Sequence, residues 1–432
     1  MLWLYRLLFL PAVLLAAPYY LLRMRRRGGY AAHFGQRFGV TPSLPPKRAG
    51  VRRIWLQAVS VGEMLAIAPL LEAWGREETV EIYLTTTTST AYALASQRYA
   101  GRRAVIGLAY FPLDCWLCAR RTWRDVEPDL VILTEGERWP EHLAQAAARG
   151  VPVVAVNARL SDRSYRRMSK LGPWARLLTR GLTRVLAASD GDAERFEKFG
   201  VSKERITVTG NLKLDVELAT VPDGEQERFR AELGLGTGRI LMGASTWPGE
   251  EAALLAAWRG LRATAMGREA KLLIVPRHAE RRDEIEALMI SEGVRYHFRS
   301  RGAAPALNGV DVAVADTTGE LQRLLALAEV VFVGKTLPPH TDGQTPVEAA
   351  ARGRAVVFGP GTANFRVIAK ELTDLGAARR VSDADELSRV VAALWADTEA
   401  RAALGAAGLS WHEGNRGAAA RTLKALAELI RG

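Results

Sequence analysis

From Val51 onward, short apolar runs alternate with segments of helical length, and this alternation confines the chain to one broad class of fold. The first series is Ile54–Val59, Val80–Thr85, Leu130–Leu133, Val153–Val156, Arg184–Ala188 and Ile206–Thr209. The second is Ile240–Gly243, Lys271–Val275, Val312–Ala315, Val330–Val333 and Ala355–Phe358. Such continuous runs are strands covered on both faces, as when helical crossovers lie on either side of a parallel sheet. Each series therefore predicts a doubly wound α/β domain, and 432 residues leave room for both cores. The first series closes at Gly210-Asn211-Leu212-Lys213, and a polar stretch, Pro222–Arg230, separates the two. The predicted organisation is an N-terminal segment (1–27), a first domain (28–215) and a second (216–432), with a cleft between the two domains. The Ala-rich remainder, Asp383–Gly432, has a helical period and is expected to pack around the second domain.

In open sheets of this kind, ligands lie outside the carboxyl ends of the strands, so the loops there are the places to look for chemistry. The most complete unit is Val330–Ala369: strand, loop, a short helix over Pro346–Ala351, strand, and a loop at Gly359-Pro360-Gly361-Thr362. Thr345 is its expected N-cap, with Pro346 and Val347 opening the helix and Glu348 third, leaving free amides suited to a phosphate. The same residues equally describe a plain capping box. After the first strand, Ser60-Val61-Gly62-Glu63 places Glu63 at a helix start. There it serves either as a base for an attacking hydroxyl or only as an acid favoured by the helix dipole. Thr134-Glu135-Gly136-Glu137-Arg138-Trp139-Pro140 brings two carboxylates, one of which has a possible surface partner in Arg138. Lys213, near the expected hinge, is placed to steady developing negative charge or is simply solvated. Pro276 and Arg277 follow a strand, and Arg277 can fork onto a phosphate; His278 beside them is as readily structural. Thr318-Gly319-Glu320 is expected to open another helix with free amides.

The 59 Lys and Arg exceed the 47 Asp and Glu by 12, which favours anionic partners: nucleic acid, anionic lipid or a phosphorylated substrate. No nucleic-acid module signature accompanies that charge. Between Arg159 and Arg184 lie eight basic residues, Arg159, Arg163, Arg166 and Arg167 among them, against the single acid Asp162, with Tyr165, Leu171, Trp174 and Leu177 interspersed. This suits a phosphorylated lipid at a membrane, or is a solvated basic face. Residues 1–27 are mostly apolar from Leu2 to Leu22, interrupted by Arg6 and followed by Arg23, Arg25, Arg26 and Arg27. The order is wrong for a cleaved signal peptide. It fits an uncleaved anchor, spanning or inserted in one leaflet, with the basic cluster and the rest of the chain on the cytoplasmic side. Cys115 and Cys118 are the only cysteines. They share one side of a helix expected over Asp114–Arg124 and read as packing residues, with redox chemistry as the lesser alternative and no second ligand pair for a zinc site evident.

Taken together, Ala58-Val59-Ser60-Val61-Gly62-Glu63, Thr85-Thr86-Thr87-Thr88-Ser89-Thr90, Asn157-Ala158-Arg159-Leu160-Ser161, Thr209-Gly210-Asn211-Leu212-Lys213, Pro276-Arg277-His278 and Asn364-Phe365 form an ordered set. In these the chain resembles the bacterial transferases of 3-deoxy-D-manno-oct-2-ulosonic acid (Kdo), inverting glycosyltransferases of the GT-B fold, from its N-terminal anchor to about Lys370. The resemblance implies two Rossmann-like domains facing a central cleft, CMP-Kdo as donor, an acylated, phosphorylated glucosamine disaccharide preceding lipid A as acceptor, and no metal or other cofactor. It gives Glu63 the role of general base and Glu137, aligned on Trp139-Pro140 in Glu-Thr-Glu-Leu-Trp-Pro, a part in transition-state stabilisation together with Lys213. It assigns the nucleotide to Pro276, Arg277, Thr318, Gly319, Glu320 and Thr345-Pro346-Val347-Glu348, with Glu348 on the ribose.

Departures from the family pattern gather on the donor side. Ala244-Ser245-Thr246-Trp247 stands for Ala-Ser-Thr-His, and Asp342-Gly343-Gln344-Thr345-Pro346-Val347-Glu348 for Gly-Gly-His-Asn-Pro-Leu-Glu. Thr318 replaces a usual Met, and Gly361 and Ala363 replace larger residues. Three functions are therefore open: a membrane-attached Kdo transferase, a sister transferase with another donor or acceptor, and a catalytically silent lipid-binding protein.

Overall fold

The computed structural model describes residues 1–25, 33–215, 218, 220–222, 224–305 and 309–431. The chain divides into two compact units, Met1–Asp215 with Gly417–Gly432, and Val216–Arg416.

The first unit holds seven strands: β1 Arg52–Gln57, β2 Val80–Thr86, β3 Val105–Tyr110, β4 Leu130–Thr134, β5 Val153–Ala158, β6 Arg184–Ala187 and β7 Ile206–Val208. Their order is β3-β2-β1-β4-β5-β6-β7, and every pairing is parallel. Alternate side chains on a strand face opposite ways. Here Ile54, Leu56, Ile82, Leu84, Leu130 and Ile132 join one core, while Trp55, Tyr83, Val131 and Leu133 join the other. The six predicted strands of this unit are present. β3 was not expected, because Gly107 interrupts its apolar run; a Cβ there would lie 2.6 Å from Leu44 and 3.1 Å from the Tyr83 ring.

The second unit repeats the plan with β8 Ile240–Thr246, β9 Lys271–Pro276, β10 Tyr296–Phe298, β11 Val312–Val314, β12 Val330–Val333, β13 Ala355–Phe358 and β14 Ala378–Arg380. Their order is β10-β11-β9-β8-β12-β13-β14. The two strands missed by sequence, β10 and β14, are the three-residue edges of this sheet, where pairing on one side only removes the need for a long apolar run. The short helix after β12 spans Val347–Ala351, one residue later than expected.

The last helix departs from expectation. Ala418–Arg431 packs in the first unit, where Ala418 and Leu426 join the core of Ile54 and Leu70. Its start is fixed by Asp215, whose carboxylate accepts the amides of Gly417 (2.9 Å) and Ala419 (2.7 Å). Its apolar stripe was legible; which sheet it covers is a tertiary matter.

The N-terminal helix, Leu2–Arg25, contains Pro11 and Pro18. Among the described residues it docks on the first unit through polar contacts in which Tyr5 donates to Asp114 at 2.5 Å and Arg6 forks onto Glu141 at 2.7 and 3.1 Å. Glu141 is fully buried, so the charge that breaks the apolar segment is neutralised against the protein. Trp3, Leu7, Leu8, Leu14 and Leu15 remain exposed, Leu15 by 85%. Among the described residues no helix is long and apolar enough to cross a membrane. The basic cluster that follows falls outside the residues whose side chains are described. The helix beside Asp114 begins at Trp116, with the Cys115 sulfur accepting the Cys118 amide (3.4 Å) as its N-cap.

Candidate active site

The first sheet reverses its winding between β1 and β4, the position where doubly wound sheets open a crevice. Glu63 comes from the helix after β1, Glu135 and Glu137 from the loop after β4, and Lys213 from the segment after β7. Glu63 is 8% exposed. One of its oxygens accepts the Val59 amide (2.8 Å) and the Thr134 hydroxyl (2.6 Å), and the other accepts Ser60 Oγ (3.1 Å). Ser60 in turn accepts the Glu63 amide (3.4 Å). The reciprocal Ser60–Glu63 cap thus fixes the carboxylate against Thr134 at the end of β4.

Lys213 Nζ lies 2.5 Å from Glu135 Oε1, and a Cβ on Gly62 would be 3.7 Å from the same ammonium. Asn157 ties this corner together, its side-chain amide reaching Glu135 (3.4 Å) while its oxygen accepts the Leu212 amide (3.0 Å). Burial, and then the neighbouring Glu135, push the Glu63 carboxyl above its ordinary range. Burial, and then Glu63, push Glu137 up to about 7. Glu63 and Glu137 therefore take up a proton more readily than solvated acids.

The three predicted residues Glu63, Glu137 and Lys213 are brought together. Glu135 is the residue that motif alignment passed over; its signal is a left-handed backbone (φ +50°), invisible in the sequence. Arg138 is no surface partner of a glutamate. It is buried with its guanidinium 5.1 Å from the Phe196 ring centroid, and burial pulls its pKa down to about 10. Arg159 is half-buried, and its amide donates to Glu135 O (3.4 Å). Arg166 and Arg167 are exposed on the helix Asp162–Lys170, beside exposed Leu171 and Trp174. Arg163 lies on the same helix, its side chain outside the described residues.

In the second unit the winding reverses between β8 and β12. Arg277 follows β9, and its side chain is exposed with no hydrogen bond or ion pair among the described residues; its amide donates to Thr246 O (3.1 Å). Pro276 closes that strand. Thr318 and Gly319 are exposed, but the expected helix start is displaced: the helix is only Leu321–Leu324, and Glu320 is forked onto Arg299 (2.7 and 2.8 Å). Thr345 Oγ1 accepts the Val347 amide (3.3 Å) at the turn through Pro346, whereas Glu348 does not close a capping box and accepts Gln322 Nε2 (2.9 Å). A Cβ on Gly361 would lie 2.3 Å from His340 O, so its small size serves the packing of two loops.

Two parallel seven-stranded Rossmann-like units with their strand ends equipped in this way define a two-domain α/β glycosyltransferase of the GT-B type. Residues 32–216 match the family model described as 3-deoxy-D-manno-octulosonic-acid transferase (kdotransferase). The 3-deoxy-D-manno-octulosonic acid transferase of Bordetella pertussis is 36% identical over 413 residues, 94% of this chain and 94% of that protein. The transferase of the same name from Haemophilus influenzae is 31% identical over 97% of this chain and 94% of its own length. Among solved structures, UDP-GlcNAc 2-epimerase from Neisseria meningitidis aligns with TM-score 0.53 at 13% identity, over 87% of this chain and all of its own, a likeness of fold alone. The chain belongs to the 3-deoxy-D-manno-octulosonic acid transferase family and is a Kdo transferase.

Proposed function

We propose that this enzyme moves Kdo from CMP-Kdo to a hydroxyl of the phosphorylated, acylated glucosamine disaccharide that precedes lipid A, with inversion at the anomeric carbon. The observation that carries the reading is the buried Glu63 carboxylate, fixed by three hydrogen bonds and raised in proton affinity by burial and Glu135. In a single displacement the acceptor oxygen bonds to the anomeric carbon, the bond from that carbon to the phosphate oxygen breaks, CMP departs, and the hydroxyl proton goes to Glu63. Lys213 and Glu137 stabilise the charge that develops. Arg277, with its free guanidinium, suits the nucleotide phosphate, with Pro276, Thr318, Gly319 and Thr345–Glu348 completing the donor site.

The acceptor's phosphates meet Arg159, Arg163, Arg166 and Arg167, and the enzyme works at the cytoplasmic face of the inner membrane. Support comes from the outward leucines of the helix Leu2–Arg25 and from exposed Trp116 and Leu117 on the helix beginning beside Asp114, to which Tyr5 is bonded. Apolar side chains of this kind bury into a lipid interface without spanning it.

The test is mass spectrometry of a tetraacyl lipid A precursor incubated with the full chain and CMP-Kdo generated in the reaction, alongside Glu63→Gln. Addition of one or more Kdo units by the wild type, lost in the variant, is the expected result. Transfer at an undiminished rate by Glu63→Gln refutes the role of the base. No transfer to this acceptor by the wild type overturns the proposed acceptor.

A further inference from the structure

At the reversal point of the second sheet, two residues other than glycine hold left-handed backbone: Ser245 (φ +56°) and Lys335 (φ +61°). Gly334, next to Lys335, packs so closely that a Cβ would lie 2.2 Å from Ser245 O. A lysine occupies this conformation at a cost that glycine escapes. The turn is nevertheless tightly fixed. Buried Glu250 accepts the amides of Trp247 (2.9 Å), Lys335 (2.7 Å), Thr336 (2.8 Å) and Leu337 (3.0 Å).

With the backbone so held, the Lys335 side chain folds over the indole of Trp247, Nζ 4.3 Å from the ring centroid. His278 and His340 stand edge-on to that ring at 5.1 and 5.8 Å. The ammonium also meets Asp342 at 3.0 Å, a carboxylate that is about half exposed (49%) and marks a place where an anionic oxygen is stable. The Trp247 N–H is buried without an acceptor among the described residues. Left-handed backbone at residues other than glycine clusters at functional sites, and an indole is the best aromatic seat for a cation.

We propose that Lys335, seated on Trp247, is an anion-binding residue of the donor site, meeting an anionic oxygen of the sugar nucleotide. This rests on the CMP-Kdo reading above. The donor offers two sources of such an oxygen, the phosphate that links nucleotide to sugar and the carboxylate of the sugar itself, and the test separates them.

The experiment uses the full chain as wild type, Lys335→Gly and Lys335→Arg, measuring Kd for CMP by calorimetry, KM for CMP-Kdo, and Tm. Lys335→Gly relieves the left-handed strain, so its Tm is expected to equal or exceed that of the wild type, while a charged hydrogen bond to the donor is lost, weakening binding about tenfold or more. If the partner is the phosphate, Kd for CMP rises about tenfold. If it is the sugar carboxylate, Kd for CMP is unchanged and KM for CMP-Kdo rises by that factor. Lys335→Arg retains most of the binding in either case. Both constants within twofold of the wild type for Lys335→Gly overturn the inference while leaving the CMP-Kdo reading intact. A wild type that binds CMP yet has no use for CMP-Kdo overturns that reading and the carboxylate arm. A wild type that binds no CMP overturns both.

Discussion

The two units solve the same topological problem with opposite charges. In each, the sheet reverses beside its first strand, and a charged residue with left-handed backbone follows the strand across the reversal: Glu135 (φ +50°) after β4 and Lys335 (φ +61°) after β12. In the first unit the result is a partly buried cluster of three carboxylates and Lys213, in which burial and then a neighbouring acid raise the proton affinity of Glu63 and Glu137. In the second it is a lysine on an aromatic seat near exposed Arg277, with the acid, Glu250, turned inward to hold backbone. On the two proposals above, one reversal point accepts a proton and the other meets an anion. The backbone device is shared, and the side chains set the chemistry.

The sharpest way to break this contrast is Glu63→Gln. An amide keeps an acceptor for the Val59 N–H and Thr134 but cannot take a proton, so kcat should fall by about 10²–10⁴-fold, with Tm altered by no more than the loss of a cap, about 1 kcal/mol. Turnover with CMP-Kdo and a thermal melt check both halves. Activity above a tenth of the wild type would remove the first unit's claim to the chemistry. Next comes Glu250→Ala, which is expected to act through structure. Four amides lose their acceptor, and buried donors left unpaired cost about 1–3 kcal/mol each before water relieves some of them. A fall of roughly 5–10 °C in Tm is expected, along with weaker CMP binding, by calorimetry and differential scanning. An unchanged Tm would mean that the loop carrying Lys335 is held by something else.

Glu137→Gln sharpens the electrostatic half of the comparison. Burial and Glu63 raise this carboxyl from an ordinary 4.5 to about 7, so between those values the native state binds more protons than the unfolded chain. Its contribution to stability is intact below about pH 4.5 and is lost as pH rises through 7. Glu137→Gln removes the penalty. The variant should match the wild type in stability near pH 4.5 and exceed it at pH 8, by an amount on the order of 3 kcal/mol, while its turnover falls. Melts across that range check the sign, and parallel curves would show that the carboxylates are not crowded.

Much of this was legible in the sequence for physical reasons that also mark where legibility ends. Long buried strands such as Val330–Val333 announce themselves by uninterrupted apolar residues; β10 and β14 do not, because edge strands bury one side only. Glu63, Glu137 and Lys213 could be placed at strand ends from the order of the motifs. Their convergence on Glu135 could not, since it depends on a backbone angle and on Asn157 bridging from β5. Glu250 is the clearest loss. In the sequence it is an ordinary acid in the first turn of the helix Glu250–Arg262, and only the tertiary fold brings four amides to it. Likewise the apolar stripe of Ala418–Arg431 was visible, but the return of this helix to the first unit hangs on Asp215.

The smallest expected effect, and the most direct comparison with Lys335→Gly, is Glu135→Asn. Asparagine tolerates left-handed backbone better than glutamate, a gain of some tenths to about 1 kcal/mol. Against it stands the ion pair with Lys213, both side chains partly exposed (20% and 28%), worth about 0–1 kcal/mol. Net stability should therefore stay within about 1 kcal/mol of the wild type. Catalysis should not stay put, because Lys213 loses the partner that positions it; kcat should fall about tenfold, on the order of one charged contact. The discriminating readout is the acid limb of the rate profile. Removing Glu135 takes away a negative charge that pushes Glu63 up, so the limb should move to lower pH. A limb that stays in place would mean that Glu63 titrates alone. The first reversal point would then be, like the second, a place where one residue meets one ligand, and the contrast between the two units would reduce to the sign of a single charge.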